Sequence, residues 1–224
     1  MEYTISLALV DFLPVIFTAV GMYFIVRMVS HLNATQGKVA AIGAALIVTG
    51  GFLKAVWKLV MAFPGNDIRW MDDGMFAWMA SGYTLLVWSI WQTVRVLRGK
   101  KMFNAWLIPV SIIALMLASS FYFHTFSPDS PAWKRILLSV MVLASIITSV
   151  LLIVFAFRQK LFLAGALFII NLIIIFVMNG LARMPEQTIA LQWMEESINS
   201  VSWLCFFIAT KEVFDYTRKN FGVQ

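Results

Sequence analysis

Seven long apolar stretches, separated by short polar gaps, limit what this chain can fold into. They run over residues 5–29, 38–63, 74–97, 103–124, 132–157, 161–182 and 190–214. A helix of about 20 apolar residues crosses a bilayer, and a helix satisfies its own backbone hydrogen bonds in lipid. The pattern therefore predicts an all-α integral membrane protein with seven transmembrane helices.

The composition agrees with a chain that lies almost entirely in lipid. Of its 224 residues, 61% are hydrophobic and 12% are charged, against about 45–50% and about 25% in soluble domains. We therefore expect residues 1–224 to form a single membrane domain, in contact with the lipid bilayer and without nucleic acid. The single cysteine, Cys205, and the separated His31 and His124 provide no metal site and no haem ligand pair, so we expect no cofactor.

Lys and Arg are concentrated in alternate connections, which indicates how the chain is oriented. Cytoplasmic loops carry an excess of these residues, and here the basic connections are the first, third and fifth, with the C-terminal tail. The second and sixth connections are acidic. Three basic residues depart from this pattern, namely Arg69 at the second connection and Lys134 and Arg135 at the fourth, but they are fewer than the basic residues of the other connections. The pattern predicts an N-out/C-in topology, and we expect the cytoplasmic (inner) membrane of a prokaryote.

A short motif occurs twice and indicates an internal repeat. Trp70-Met71-Asp72-Asp73 opens the third span, and Trp193-Met194-Glu195-Glu196 opens the seventh, 123 positions later. The interpretation is a 3+1+3 parallel repeat, with a first triplet over residues 5–97, a linker helix over 103–124 and a second triplet over 132–214. Because one helix separates them, the two triplets would have the same orientation in the membrane.

Charged residues within the spans suggest where a ligand binds. Charges inside a bilayer are costly and indicate function by default. Helical spacing puts Lys54 and Lys58 on one face of the second span, and Glu195 and Asn199 on one face of the seventh. The candidate ligand-binding residues are Lys54, Lys58, Asp72, Asp73, Asn179, Arg183, Glu195, Glu196 and Asn199. Asp11 is expected at the same outer level, and Lys54, the deepest cation, is expected beside a carboxylate.

Three classes of function remain open on these residues. The leading hypothesis is a binding or transport protein whose outward-facing charged cavity, between the triplets, holds a small solute or ion. The alternatives are a membrane-embedded enzyme that protonates an apolar lipid or isoprenoid with a carboxylate, and an accessory subunit of a larger membrane complex. Association with itself or with another membrane protein is left open. Simple neutralisation of the carboxylates by Lys54 and Lys58 is the purely structural interpretation.

The predicted topology resembles that of two families. Seven helices in a 3+1+3 arrangement are similar to microbial rhodopsins and to small sugar transporters. The resemblance to rhodopsins would imply a retinal-binding lysine in the middle of the seventh helix, whereas Lys211 lies at its inner end. The acidic pairs are also similar to the Pro-x-Glu-Glu motif of membrane carotenoid cyclases, with Trp-Met in place of Pro-x.

Overall fold

The fold is helical throughout the part of the chain that the structure describes. This computed structural model describes residues 4–63, 67–103, 106–127, 129–181 and 188–221. The helices are α1 (Ile5–Val10), α2 (Phe12–Leu32), α3 (Ala34–Met61), α4 (Arg69–Leu97), α5 (Leu107–Phe126), α6 (Ala132–Arg158), α7 (Phe162–Leu181) and α8 (Ile189–Asn220).

Five helical segments in these ranges are long and apolar enough to cross a membrane. They are Ile5–Leu32, Ala34–Met61, Leu107–Phe126, Ala132–Arg158 and Phe162–Leu181. The prediction of an all-α membrane protein is confirmed. Helices α4 and α8 are also long, at 29 and 32 residues, but they carry more charge than the other five segments.

A break in the first span separates α1 from α2 at Asp11. Pro14 lies three residues further on and has no backbone N–H, so it cannot bond to the carbonyl of Val10, where α1 ends. The hydroxyl of Thr18 donates to the Pro14 carbonyl at 2.7 Å. The break places the Asp11 side chain in the protein interior, where the residue is 6% exposed.

Helices α2 and α3 are joined by a single residue, Asn33. Its side chain accepts a hydrogen bond from the Gln36 N–H at 2.9 Å and so caps α3. The two helices touch backbone to backbone just beyond this turn, because a Cβ added to Gly37 would lie 2.6 Å from the Cα of Ser30. The connection is therefore a tight helical hairpin.

Six helices form a ring in chain order, and the seventh long helix packs outside it. Each of α2, α3, α4, α6, α7 and α8 contacts the next, and α8 closes the ring on α2. Among the described residues, helix α5 packs mainly against α6 and α4, and its Leu115, Phe121 and Phe126 are about 70% exposed. These side chains match a surface that faces lipid.

Helices α3 and α4 approach most closely at two glycines. A Cβ on Gly82 would lie 2.6 Å from the carbonyl oxygen of Gly43, and one on Gly43 would lie 2.7 Å from that of Gly82. Small residues let membrane helices come into close contact in this way. Ile47, Leu86 and Phe168 are fully buried in the core that the ring helices share.

Candidate functional site

A buried three-residue ion pair lies between the first span, α3 and α8. The Lys58 ammonium donates to Asp11 Oδ1 at 3.1 Å and also to Glu196 Oε1. The three side chains are only 8–11% exposed. Each is placed by a local feature: Asp11 by the break before α2, Lys58 by the last turn of α3, and Glu196 by the start of α8.

The end of α3 favours this placement of charge. The C-terminus of a helix carries partial negative charge and the N-terminus partial positive charge. Lys58 lies in the last turn of α3, while Glu196 lies within the first two turns of α8. The effect falls off within the last or first turn of a helix, so the backbone of α3 stabilises Lys58, whereas Glu196 lies beyond the first turn of α8 and gains little from it.

A cavity of about 310 Å³ lies beside the ion pair, within the ring. All six ring helices contribute to its wall. The polar residues that line it are Asp11, Thr18, Lys54, Lys58, Glu195, Glu196 and Asn199. The apolar residues in the wall include four methionines and a tryptophan, namely Met75, Met79, Met141, Met178 and Trp203. The wall thus combines charged groups with soft, adaptable apolar ones.

Two charged groups in the cavity wall lack direct partners in the described part of the chain. Lys54 forms no hydrogen bond or ion pair there, although Asp11, Glu196 and Asp72 attract it and Lys58 repels it. Oε1 of Glu195 is buried and accepts no hydrogen bond from these residues. Buried polar atoms normally have a hydrogen-bond partner, so Glu195 Oε1 is an exception, as is Oε2 of Glu196, while Lys54 is a half-buried cation without a direct partner among the described residues.

The acidic pair at the start of α4 forms a separate cluster. Lys134 on α6 donates to Asp73 Oδ1 at 3.1 Å and contacts Asp72 Oδ2 at 3.5 Å. Its ammonium also lies 4.9 Å from the centre of the Phe76 ring. Lys134 is 36% exposed, so this cluster is wetter than the one around Lys58.

The structure brings together five of the nine candidate residues. Lys54, Lys58, Glu195, Glu196 and Asn199 line the cavity, whereas Asp72 and Asp73 contact Lys134. Asn179 donates to the Ile175 carbonyl of its own helix at 2.8 Å and does not line the cavity. Arg183 lies outside the described residues.

Of the carboxylates expected beside Lys54, which are Asp72, Asp73, Glu195 and Glu196, only Glu196 contacts Lys58, and Asp72 and Asp73 contact Lys134. The two lysines are one turn apart on α3, so sequence spacing alone does not separate them. Asp11 is the second carboxylate that contacts Lys58. The sequence predicts it at the same outer level of the membrane as the candidate residues, and this shared depth was the signal that could have placed it in the site. Met75, Met79, Met141 and Met178 were missed, because a methionine in an apolar span has no pattern that distinguishes a cavity wall from packing.

One charged contact at the surface lies between α3 and α4. Asp67 accepts from Arg69 Nε at 3.0 Å and from the Trp57 indole N–H at 3.2 Å. The hydrogen bond from Arg69, followed by that from Trp57, lowers the pKa of Asp67 below its ordinary value of 3.8. This carboxylate stays ionised at neutral pH and links the end of α3 to the start of α4.

Comparison with protein-family models, with curated proteins and with solved structures finds no match to this chain.

Proposed function

We propose that this protein binds or transports a small solute or ion in the charged cavity of its helical ring. The observation that carries the proposal is Lys54, which lies in the cavity wall without a direct partner among the described residues, next to Lys58, which contacts two carboxylates. A lysine needed only to neutralise carboxylates would contact one directly. A ligand explains why a costly second cation is kept inside the membrane.

Bound solute in purified protein is the direct test. Lys54→Met keeps the apolar stem and removes the ammonium, so the variant is expected to fold and to lose the solute. Native mass spectrometry of wild type and variant, with thermal unfolding of each, measures both effects. Lys134→Met is the matched control, because Lys134 lies outside the cavity wall, and it should retain the solute.

Two results would refute this proposal. Wild-type protein that carries nothing except lipid, and that no small molecule stabilises, would remove the basis for a binding site. A Lys54→Met variant that is less stable yet binds as well as wild type would make Lys54 a structural charge.

The proposal includes seven membrane crossings, N-out/C-in, in the cytoplasmic membrane of a prokaryote. Helices α4 and α8 complete the ring, and their contacts with neighbouring spans support a crossing despite their charges. In a Cys205→Ser background, Ser127→Cys should react with an impermeant thiol reagent in intact cells and Lys101→Cys should not. The opposite labelling pattern would reverse the orientation.

We also propose the 3+1+3 repeat, with the linker α5 outside the ring. A two-fold axis along the membrane normal would exchange α2, α3 and α4 with α6, α7 and α8, and the helix neighbours are compatible with it. The offset of 123 positions that relates the two motifs also relates Asp11 to Lys134. An experimental structure with Asp11 and Lys134 at unrelated depths would refute the repeat.

A further inference from the structure

We propose that Asp11 and Glu196 hold one proton between them, and that this proton lowers the cost of opening the helical ring. The bound proton follows from the contacts and charges of the cavity wall alone. Its role in opening rests on the proposed transport function, because a binding protein that never opens has no use for it.

The two carboxyl groups contact each other as well as Lys58. The Lys58 ammonium lies 3.1 Å from Asp11 Oδ1 and also contacts Glu196 Oε1, and the two carboxyl groups hydrogen-bond to each other. Two ionised carboxylates repel, and neither has a hydrogen to donate. The bond between them therefore requires one proton, as in other sites where two carboxyl groups lie side by side.

Glu196 has an oxygen that suits this proton. Its Oε1 accepts from Lys58, whereas its Oε2 is buried and accepts no hydrogen bond from the described residues. The residue is 6% exposed and lines the cavity. A buried oxygen without a donor is costly in an ionised carboxylate and less costly in a neutral acid, whose hydroxyl is itself a donor. These contacts favour a neutral Glu196 beside an ionised Asp11.

The charges of the cavity wall balance when one proton is bound. The charged residues of the described chain that line the cavity are Asp11, Lys54, Lys58, Glu195 and Glu196. Two lysines thus face three carboxyl groups, and one proton makes the wall neutral. The described residues of α6 and α7 in the wall are uncharged, while Asp72 on α4 attracts Lys54 and contacts Lys134. Without the proton, the wall would carry a net negative charge inside the membrane, which is costly.

A proton on Glu196 changes which contacts must break when the ring opens. Asp11 and Lys58 lie on the side of α2, α3 and α4, whereas Glu196 lies on α8, with α6 and α7. When Glu196 is neutral, the two opposite charges of Lys58 and Asp11 stay together on one side. When Glu196 is ionised, opening separates it from the Lys58 ammonium, and hydrogen bonds between charged groups are stronger than those to neutral ones.

Infrared spectroscopy of purified protein, in a detergent without ester groups, tests the bound proton without any solute. A neutral carboxylic acid has a C=O stretch apart from the amide bands, and this stretch shifts in D2O. We expect the band in wild-type protein at neutral pH. Asp11→Asn and Glu196→Gln should each remove it, because Lys58 alone balances the carboxylate that remains. Glu212→Gln removes a carboxyl group of α8 outside the cavity wall and should retain the band.

Three infrared results would overturn the shared proton. A wild-type spectrum without the band would show that both carboxyl groups are ionised. Loss of the band in only one of the two variants, Asp11→Asn or Glu196→Gln, would show that the proton is not shared. A band that survives in both, and is lost in Glu195→Gln, would place the proton on Glu195. Circular dichroism of each variant confirms that it is folded, and the wild-type band decides the first result without any variant.

A cysteine in the cavity wall tests the role of the proton in opening. Met178→Cys on α7, in a Cys205→Ser background, is treated with methyl methanethiosulfonate, a small uncharged reagent. Glu196→Gln imitates the neutral acid and should make labelling about tenfold faster, because opening no longer separates opposite charges. Asp11→Asn leaves Lys58 and an ionised Glu196 on opposite sides of the boundary and should not make labelling faster.

The outcomes separate the proton from the proposed function. Equal labelling rates in Glu196→Gln and Asp11→Asn would overturn the role in opening, even if the infrared band is present. The proposed function fails separately, if purified protein carries no solute and no small molecule stabilises it, and the infrared result would not be affected.

Discussion

Loss of the Lys58 ammonium should destabilise this protein far more than loss of any partly exposed lysine. Lys58→Met retains the apolar stem but leaves Asp11 and Glu196 buried without the cation they share. Removal of one partner from a buried ion pair costs about 3–5 kcal/mol. Because two carboxylates lose their partner here, we expect the upper part of that range.

Lys134→Met is the matched control for this prediction. Lys134 also contacts two carboxylates on another helix, but it is 36% exposed where the Lys58 side chain is 11% exposed. An exposed ion pair contributes up to about 1 kcal/mol. The two variants should therefore differ by about 3 kcal/mol or more in the free energy of unfolding.

Reversible unfolding of purified protein in mixed micelles, followed by circular dichroism, measures both free energies. The double variant Lys58→Met/Glu196→Gln should recover part of the loss, because it removes one of the uncompensated charges. The argument fails if Lys58→Met and Lys134→Met lose the same stability, since the exposure of the two lysines would then not govern their contribution.

Two further predictions concern helix contact and pH. Gly82→Ala should destabilise the protein by about 1–3 kcal/mol, because its Cβ would meet the Gly43 carbonyl oxygen at 2.6 Å. Gly51→Ala should be neutral or stabilising, because its Cβ would meet only Val15 among the described residues, at 3.7 Å. Equal losses of unfolding free energy in the two variants would contradict the close approach of α3 and α4. The pKa of Asp67, measured by carbon NMR, should lie below 3.8 and should rise in Arg69→Gln. Because the pKa of Asp67 is lowered in the folded protein, the stabilisation from its contacts is fully present above the ordinary pKa of 3.8 and is lost as the pH falls through the folded pKa. If Arg69→Gln leaves the pKa of Asp67 unchanged, the hydrogen bond from Arg69 is not the cause of the shift.

Apolar runs and loop residues predicted the helical membrane class and most helix limits. The starts of α6 and α7 agree with the sequence to within one residue, because Pro131 and the basic connection after Arg158 mark them clearly. Helix α8 extends six residues beyond the predicted span, to Asn220. Hydropathy does not detect that extension, because a helix continues into water when its polar residues still favour helical structure.

The partners of the charged residues could not be predicted to the same degree. Spacing placed Lys54 and Lys58 on one face, but the rotation of α3 within the ring decides which of them meets Asp11 and Glu196. Lys134 was an exception to the charge pattern, and its contacts with Asp72 and Asp73 give the reason for it. Such pairings depend on distances between helices, which sequence periodicity does not contain.

The single-residue turn at Asn33 restricts how the cavity could open. The turn has no slack, and the backbones of α3 and α4 are in contact at Gly43 and Gly82, so α2, α3 and α4 resist separation from one another. If the proposed transport function is correct, the ring would open between these three helices and α6, α7 and α8. Lys58 and Glu196 lie on opposite sides of that boundary, so their ion pair would have to break before a solute could pass.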